Sequence, residues 1–539
     1  MTTGRSAFLA LLRDEGITHL FGNPGTTELP IMHALRDFPD IRFVMAMQES
    51  LVVAMADGYS RASGKLVACN VHVAPGLGNA MGSLYNAQFT GTPMLLTAGQ
   101  QEQGHGLMEP MLSGPLVRMA EPLVKWSVEV TRLEDLPRIV RRAAKVAMTP
   151  PTGPVFLSLP GDILNAEADI DLMRSSRIDT RSRPSDAALD ETAALINGAE
   201  RPVIIAGDEI VKSDALDAAA ALASRIGCPA WQQTVGYGAH FLSEHPNFMG
   251  TLPRNQGQTR TILDNHDLLI VLGADPLRMS VYSPDDPIGP DARVLQIGQL
   301  DWDMAKNFPV TLGLRADVRE TLEVLTPRLR DRSRSGALPD NWQARREALT
   351  GDLERLSSRV PIEADWLALK LAEAMPPDAI LVEEALTSSR HLPALHPMRD
   401  RHGYHSLASG GIGWGLPAAV GASIANPDRP VVCYSGDGSA MYSIQSLWTA
   451  AHQKLNLTVV IANNGGYRII KQRQKAFHGS NHYIGMDFAD PPVDFSALAR
   501  SLGVEAQRVS SPDELSDALA AAVNAPGPRL VEVMIDGTV

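Results

Sequence analysis

Two strand-to-turn transitions late in the chain place oxygen-bearing side chains where one hard cation could take both. Residues 431–467, VVCYSGDGSAMYSIQSLWTAAHQKLNLTVVIANNGGY, read as a strand, a Gly-Asp-Gly-Ser turn, a helix with Ile444, Leu447, Trp448 and Ala451 at helical spacing, and a second strand ending at Asn463-Asn464-Gly465-Gly466. A right-handed βαβ crossover returns the chain parallel to itself, so Asp437 and Asn464, 27 positions apart, reach the same sheet edge. Mg²⁺ takes oxygen ligands, usually one or two carboxylates completed by carbonyls, water and phosphate oxygens. Gly436, Gly438, Gly465 and Gly466 let the backbone approach closely, and Ser439 can turn its hydroxyl and N–H toward a phosphate. Gly-Asp-Gly and Asn-Gly are each common turn formers. Their occurrence at successive strand ends is what points to a metal and phosphate site.

Two titratable residues stand at comparable places near the N-terminus. Glu49 follows the apolar run FVMAMQ and opens the helix SLVVAMADGYSRASG, where a carboxylate is ordinarily a dipole partner. His72 lies just past the apolar run 66–71, at a sheet's carboxyl edge, where a group titrating near neutrality can relay protons. Taken alone, each has an ordinary structural explanation.

The elements that must position these residues form three α/β units. In the first, 1–167, short apolar runs at 18–22, 43–47, 66–71, 93–98 and 154–159 alternate with helical periodicity, which implies a parallel sheet covered by helices. A polar stretch, 169–185, has linker composition. The second unit, 186–327, contains RPVIIAGDEI, LLIVLG and RVLQIG. A charged, helix-breaking segment, 328–340, precedes the third, 360–539, which resembles the first in rhythm. At 539 residues with 44% hydrophobic and 20% charged, the chain has material for several cores.

Its formal charge of -13 arises from 61 acidic and 48 basic residues spread along the chain, with no basic stripe for nucleic acid or an anionic membrane. Cys69, Cys228 and Cys433 are odd in number and lie among apolar neighbours, as buried thiols do in a reducing compartment. With neither a signal pattern nor a membrane-spanning apolar run, the expectation is a soluble, cytoplasmic protein.

GDG followed by NN resembles the diphosphate and magnesium motif of thiamin-diphosphate enzymes, and the resemblance extends over essentially the whole chain. It implies the thiamin-diphosphate fold: three doubly wound parallel-sheet domains that are pyrimidine-binding, central and diphosphate-binding. It also implies thiamin diphosphate and Mg²⁺ as cofactors, with the metal on Asp437, Asn464 and the carbonyl of Gly466. Thr387 and Ser388 in EEALTSS, Gly410 and Ile412 in ASGGIGW, and Gly436, Gly438, Ser439 and Tyr467 match cofactor-contact positions, as do Pro24, Gly25 and Asn79. Glu49 matches the glutamate that bonds the pyrimidine ring and drives it to the tautomer able to activate the thiazolium.

FGNPGTTELP and NVHVAPGLGNAMG are most similar to the benzoylformate decarboxylase branch, with GQQ, PLVKW and ASGGIGWGLPAAVG in support. In that branch a serine follows the Asn-Pro-Gly turn, and here Thr26 keeps the hydroxyl; His72 falls on a catalytic histidine. Two positions depart from the pattern. Ser280 stands where a second catalytic histidine is expected, and the residues after Asn464 include Ile469 and Ile470, which keep the substrate pocket apolar. Pyruvate decarboxylases carry a glutamate where Ile470 stands, and a paired histidine motif where only His105 is found. The expected activity is non-oxidative decarboxylation of a benzoylformate-like 2-oxo acid to an aldehyde and CO₂. The alternative is a carboligase or carbon–carbon lyase of the acetolactate synthase or benzaldehyde lyase type, in which the acyl unit meets a carbonyl compound instead of a proton. By the same resemblance the chain is a homotetramer with active sites between subunits.

Overall fold

A computed structural model describes residues 1–176, 178–275, 278–279, 283–488 and 490–539. Three six-stranded, all-parallel sheets follow one another along the chain. The first comprises His19–Gly22, Arg42–Met45, Val67–Val71, Met94–Gln100, Ser127–Glu129 and Pro154–Pro160; numbered in chain order, its strands lie 2-1-3-4-6-5. The third comprises Ile380–Glu384, Tyr404–Ser406, Val431–Gly436, Leu457–Asn463, Glu505–Val509 and Arg529–Met534, in the same order, 2-1-3-4-6-5. The central sheet, Pro202–Ala206, Ala230–Gln232, Phe248–Thr251, Leu268–Leu272, Arg293–Gly298 and Leu312–Arg315, lies 3-2-1-4-5-6.

Helices cover both faces of these sheets, so the inner strands are buried on both sides and read as nearly continuous apolar runs. Val67–Val71, Leu268–Leu272 and Leu457–Asn463 are buried at every position. Local chemistry sets the helix ends. The Gln48 side chain accepts the Ser50 N–H at 2.7 Å to start helix Glu49–Ser63, which stops where Gly64 turns left-handed at φ 69°. Among the described residues no helix is long and apolar enough to cross a membrane.

The first and third domains touch through two small-residue helices, Glu49–Ser63 and Gly415–Ala425. A Cβ on Gly58 would collide with the Ala418 backbone, and one on Gly421 with the Met55 carbonyl. Beside this contact the buried Asp57 accepts the Trp414 Nε1–H at 2.7 Å and the Asn86 amide at 2.9 Å. Arg61 ties all three domains by donating to the carbonyls of Tyr237 at 2.6 Å and Ser406 at 3.2 Å.

Two elements differ from the sequence expectation. The single helix expected after Asp437 is two, Asp437–Ser443 and Ser446–His452; the break buries Leu447 and Ala450 and leaves Met441 and Tyr442 exposed. In the unassigned stretch after residue 340 a helix, Trp342–Leu353, joins two cores. Trp342 packs in the central core and Leu353 in the third, and with only these two residues buried the helix carries almost no apolar stripe to read.

Candidate active site

Every predicted site residue described here stands just past the carboxyl end of a strand, in the loop leaving it, or on the helix that follows; Glu49, Asn79, Asp437, Gly438, Ser439, Tyr467, Ile469 and Ile470 are those on or at the head of such helices. This is where doubly wound sheets place their ligands. Three clusters form.

In the first, His72 caps helix Val73–Thr90, and its Nδ1 lies 2.7 Å from Glu28 Oε2 and 3.1 Å from Thr27 Oγ1. Glu28 is 1% exposed and also accepts the backbone N–H groups of Gly25 and Gly99, both at 3.0 Å, and the Thr27 hydroxyl at 2.8 Å. An ionised carboxylate only accepts, so it holds the proton on Nδ1 and leaves Nε2 for other work. Gly25 must be glycine, because a Cβ there would run into the His72 ring. Pro24 and Thr26 stand exposed on either side of Gly25.

Sequence reasoning stopped at Thr26 and missed Thr27 and Glu28. The available signal was local: Glu28, three residues after Gly25, reaches back to the Gly25 N–H in the pattern of a capping box.

In the second cluster Glu49 is nearly buried at the head of its helix, and its Oε2 accepts the Asn79 amide at 3.0 Å. A Cβ on Gly76 would come within 2.8 Å of Oε1, so this glycine lets the two helices close around the carboxylate.

The third cluster gathers the metal and phosphate motif. Asp437, 2% exposed, accepts Gly438 N–H at 2.8 Å through Oδ1 and the N–H groups of Asn464 and Gly466 at 3.1 Å through Oδ2. The crossover has therefore joined the two strand ends. Burial pushes the Asp437 carboxyl above its ordinary range, against the pull of these backbone N–H groups. Tyr467 packs its ring against Gly438 and edge-on to Phe488 at 4.7 Å, closing one side. Ile469 and Ile470 follow on helix Arg468–His478, half-buried and 46% exposed respectively.

On the neighbouring strand end, Thr387 is half-buried and the Ser388 hydroxyl is buried without a hydrogen-bond partner. Gly410, with φ 85°, and Ile412 lie in the next loop. That loop is fastened by Glu384, which accepts Gly413 N–H at 2.6 Å and also Gly415 N–H. Burial pushes Glu384 up to about 8. Glu384 was not anticipated, although two carboxylates closing an apolar strand, ILVEE, signal a polar task at its end.

An orphaned buried hydroxyl, glycine backbone at a helix start, and a carboxylate, amide and carbonyl within reach are the donors a magnesium diphosphate needs. The residues fit the group. Ser280 lies outside the described residues. Among the described residues no hydrogen bond or ion pair joins the His72 or Glu49 cluster to the Asp437 cluster within the chain.

Three family models match in the order of the three sheets: the N-terminal thiamine pyrophosphate binding domain over residues 2–112, the central domain over 189–325 and the C-terminal thiamine pyrophosphate binding domain over 387–533. Benzoylformate decarboxylase from Pseudomonas aeruginosa is 35% identical over 537 residues, covering 99% of both chains. The chain belongs to the thiamine pyrophosphate enzyme family. Thiamin diphosphate is its cofactor. The solved structure of a thiamine diphosphate-dependent 4-hydroxybenzoylformate decarboxylase from Rhodococcus jostii RHA1 superposes with a TM-score of 0.91 at 33% identity, covering 99% of each chain. Benzoylformate decarboxylase from Polynucleobacter necessarius gives 0.89 at 32% identity, covering 100% of this chain and 99% of the other.

Proposed function

We propose that this enzyme decarboxylates a benzoylformate-like 2-oxo acid to the aldehyde and CO₂, using thiamin diphosphate held through Mg²⁺. The observation that carries this reading is the His72–Glu28 pair, which holds an imidazole with one nitrogen fixed and one free. Asp437, the Asn464 side chain and the Gly466 carbonyl would hold the metal. Ser388, Thr387, Ser439 and the backbone at Gly436, Gly438 and Gly410 would hold the diphosphate, with Ile412 and Tyr467 against the rings. Pro24, Gly25 and Asn79 would flank the pyrimidine.

When bound, the cofactor supplies a nucleophilic carbon and an electron sink for the departing carboxyl group. Glu49, oriented by Asn79, holds the proton at the pyrimidine edge. His72 exchanges a proton with the reacting carbon or its oxygen through Nε2, while Thr26 offers a hydroxyl to the substrate and Ile469 and Ile470 keep water out. Glu28 acts through His72, as a positioning residue.

The two halves of such a site come from two subunits of a homotetramer in this reading. Tyr442 at 56% exposed, on the helix that Asp437 opens, and Leu29 at 59%, next to Glu28 in the chain, are apolar surfaces a second chain would cover. The functional division runs 1–167, 186–327 and 360–539, and the three unpaired, buried cysteines suit the cytoplasm.

The test is turnover of benzoylformate and of branched and linear 2-oxo acids with added thiamin diphosphate and Mg²⁺, with products identified. Benzaldehyde and CO₂ from benzoylformate are expected. Acyloin or acetolactate as the dominant product would overturn the decarboxylase reading in favour of a carboligase.

A further inference from the structure

The strand that delivers Asn464 to the site, Leu457–Asn463, pairs in parallel with the last strand of the chain, Arg529–Met534. The residues that continue that last strand, 535–539, therefore leave the sheet at the edge where the metal loop 463–466 stands. Ile535 still donates its N–H to the Asn463 carbonyl at 3.0 Å, and Asp536 donates its N–H to the Ile362 carbonyl at 2.9 Å. The Asp536 carboxylate then accepts the Thr538 N–H at 3.0 Å and the Thr538 hydroxyl at 2.7 Å, a short turn that fixes Gly537 between them.

The far end of this segment is tied to the helix that leaves the site. Arg468 Nε donates to the Thr538 carbonyl at 3.0 Å, and Lys475 Nζ to the Val539 backbone oxygen at 2.7 Å. On helix Arg468–His478 these two cations are about two turns apart and share a face. The segment is thus held at both ends.

What it crosses is Asn464. A Cβ on Gly537 would stand 2.5 Å from the Asn464 carbonyl oxygen and 3.8 Å from Asn464 Cβ. Gly537 is not in the left-handed region, so contact by itself is what demands glycine there. The rest of the metal loop has other fastenings: Asn463 Oδ1 accepts the Gly465 N–H at 3.1 Å, the Gly465 carbonyl accepts the Phe488 N–H at 2.8 Å, and the Gly466 carbonyl accepts the Arg468 N–H at 3.0 Å. Among the described residues no hydrogen bond holds the Asn464 carbonyl, and Gly537 lies against it instead. A peptide unit is planar and rigid, so a backbone pressed on this carbonyl limits how the unit can rotate and with it where the Asn464 side chain is aimed.

We propose that residues 536–538 are a positioning strap for Asn464: the Gly537 backbone, fastened at Ile362 on one side and at Arg468 and Lys475 on the other, sets the rotation of the Asn464 peptide and so directs its amide oxygen to the ion. The strap rests on the reading of Asn464 as a metal ligand. Because Arg468 and Lys475 belong to the helix that carries Ile469 and Ile470, the strap also fixes the metal ligand relative to the apolar wall of the substrate pocket.

The test is calorimetric titration of Mg²⁺ into the full chain at saturating thiamin diphosphate. Gly537→Ala should weaken Mg²⁺ binding about tenfold with circular dichroism unchanged, the size expected when a group that orients a metal ligand is disturbed. Arg468→Met combined with Lys475→Met frees the strap and should cost about threefold, the loss of exposed hydrogen bonds. The triple variant should bind no worse than the freed strap, because a loose strap lifts away from the added methyl group. Additive losses in the triple variant, wild-type affinity in the freed-strap variant, or wild-type affinity in Gly537→Ala while Asn464→Ala loses binding would overturn the strap and leave the metal ligand standing. Wild-type affinity in Asn464→Ala would overturn the metal reading and the strap together.

Discussion

The first and third sheets share one strand order, 2-1-3-4-6-5, yet they carry different chemistry at matching places. After the third strand the first sheet presents His72, and the third sheet presents Asp437. After the first strand stand Pro24 and Gly25 in one, Thr387 and Ser388 in the other. Topology therefore supplies the positions and sequence supplies the function. In the proposed reading the first domain uses carboxylates and an imidazole to hold and move protons, and the third uses glycine backbone, hydroxyls and oxygen ligands to hold charge. If that division is right, damage to the third domain should appear as lost cofactor binding, and damage to the first as lost chemistry with binding intact.

The largest effect should come from the metal ligands. Asp437→Ala and Asn464→Ala should each weaken Mg²⁺-dependent binding of thiamin diphosphate by about a thousandfold, since a cation contributes several kcal/mol to holding and polarising phosphate oxygens. Calorimetric titration checks it, and unchanged affinity in both variants would remove the metal assignment. Next in size, Glu49→Gln should bind cofactor normally but lose roughly 10³-fold in turnover, because the amide keeps the shape without the proton chemistry. Exchange of the thiazolium C2 proton after acid quench should slow in step.

His72→Ala should lose about 10²- to 10³-fold in turnover, again with cofactor affinity intact. Glu28→Gln is the finer probe. Its amide can donate to Nδ1 and favour the wrong tautomer, so turnover should fall roughly 10- to 100-fold while His72 stays in place. A Glu28→Gln enzyme with wild-type turnover would leave His72 a structural residue.

The smallest effect concerns stability. Burial raises the Glu384 carboxyl to about 8, so between its ordinary value of 4.5 and about 8 the folded chain holds a proton that the unfolded chain has released. Stability of the cofactor-free protein should fall as pH rises through that window and level off above it. Glu384→Gln should flatten this arm, as measured by thermal midpoints from about pH 5 to 9. An unchanged slope would show that Glu384 is ionised throughout.

Much of the fold was legible because strands buried on both faces must be apolar runs; the runs 66–71, 268–273 and 457–462 read as strands for that reason, and the strands formed are Val67–Val71, Leu268–Leu272 and Leu457–Asn463. Asp437 and Asn464 were legible because the motif is contiguous through one crossover, whose handedness is nearly invariant. Helix Trp342–Leu353 was not, because its two buried residues are its ends.

Sequence by itself determined the three α/β units, the cofactor chemistry and the residues that meet within one motif. Tertiary structure decided the rest. That Glu28 closes on a histidine 44 positions away, that Asp57 and Trp414 lock two domains together, and that Gly537 lies against Asn464 depend on loops from distant strands converging. No local period encodes such meetings, since a buried carboxylate or imidazole reveals its partner only once packing has removed the water that would otherwise satisfy it.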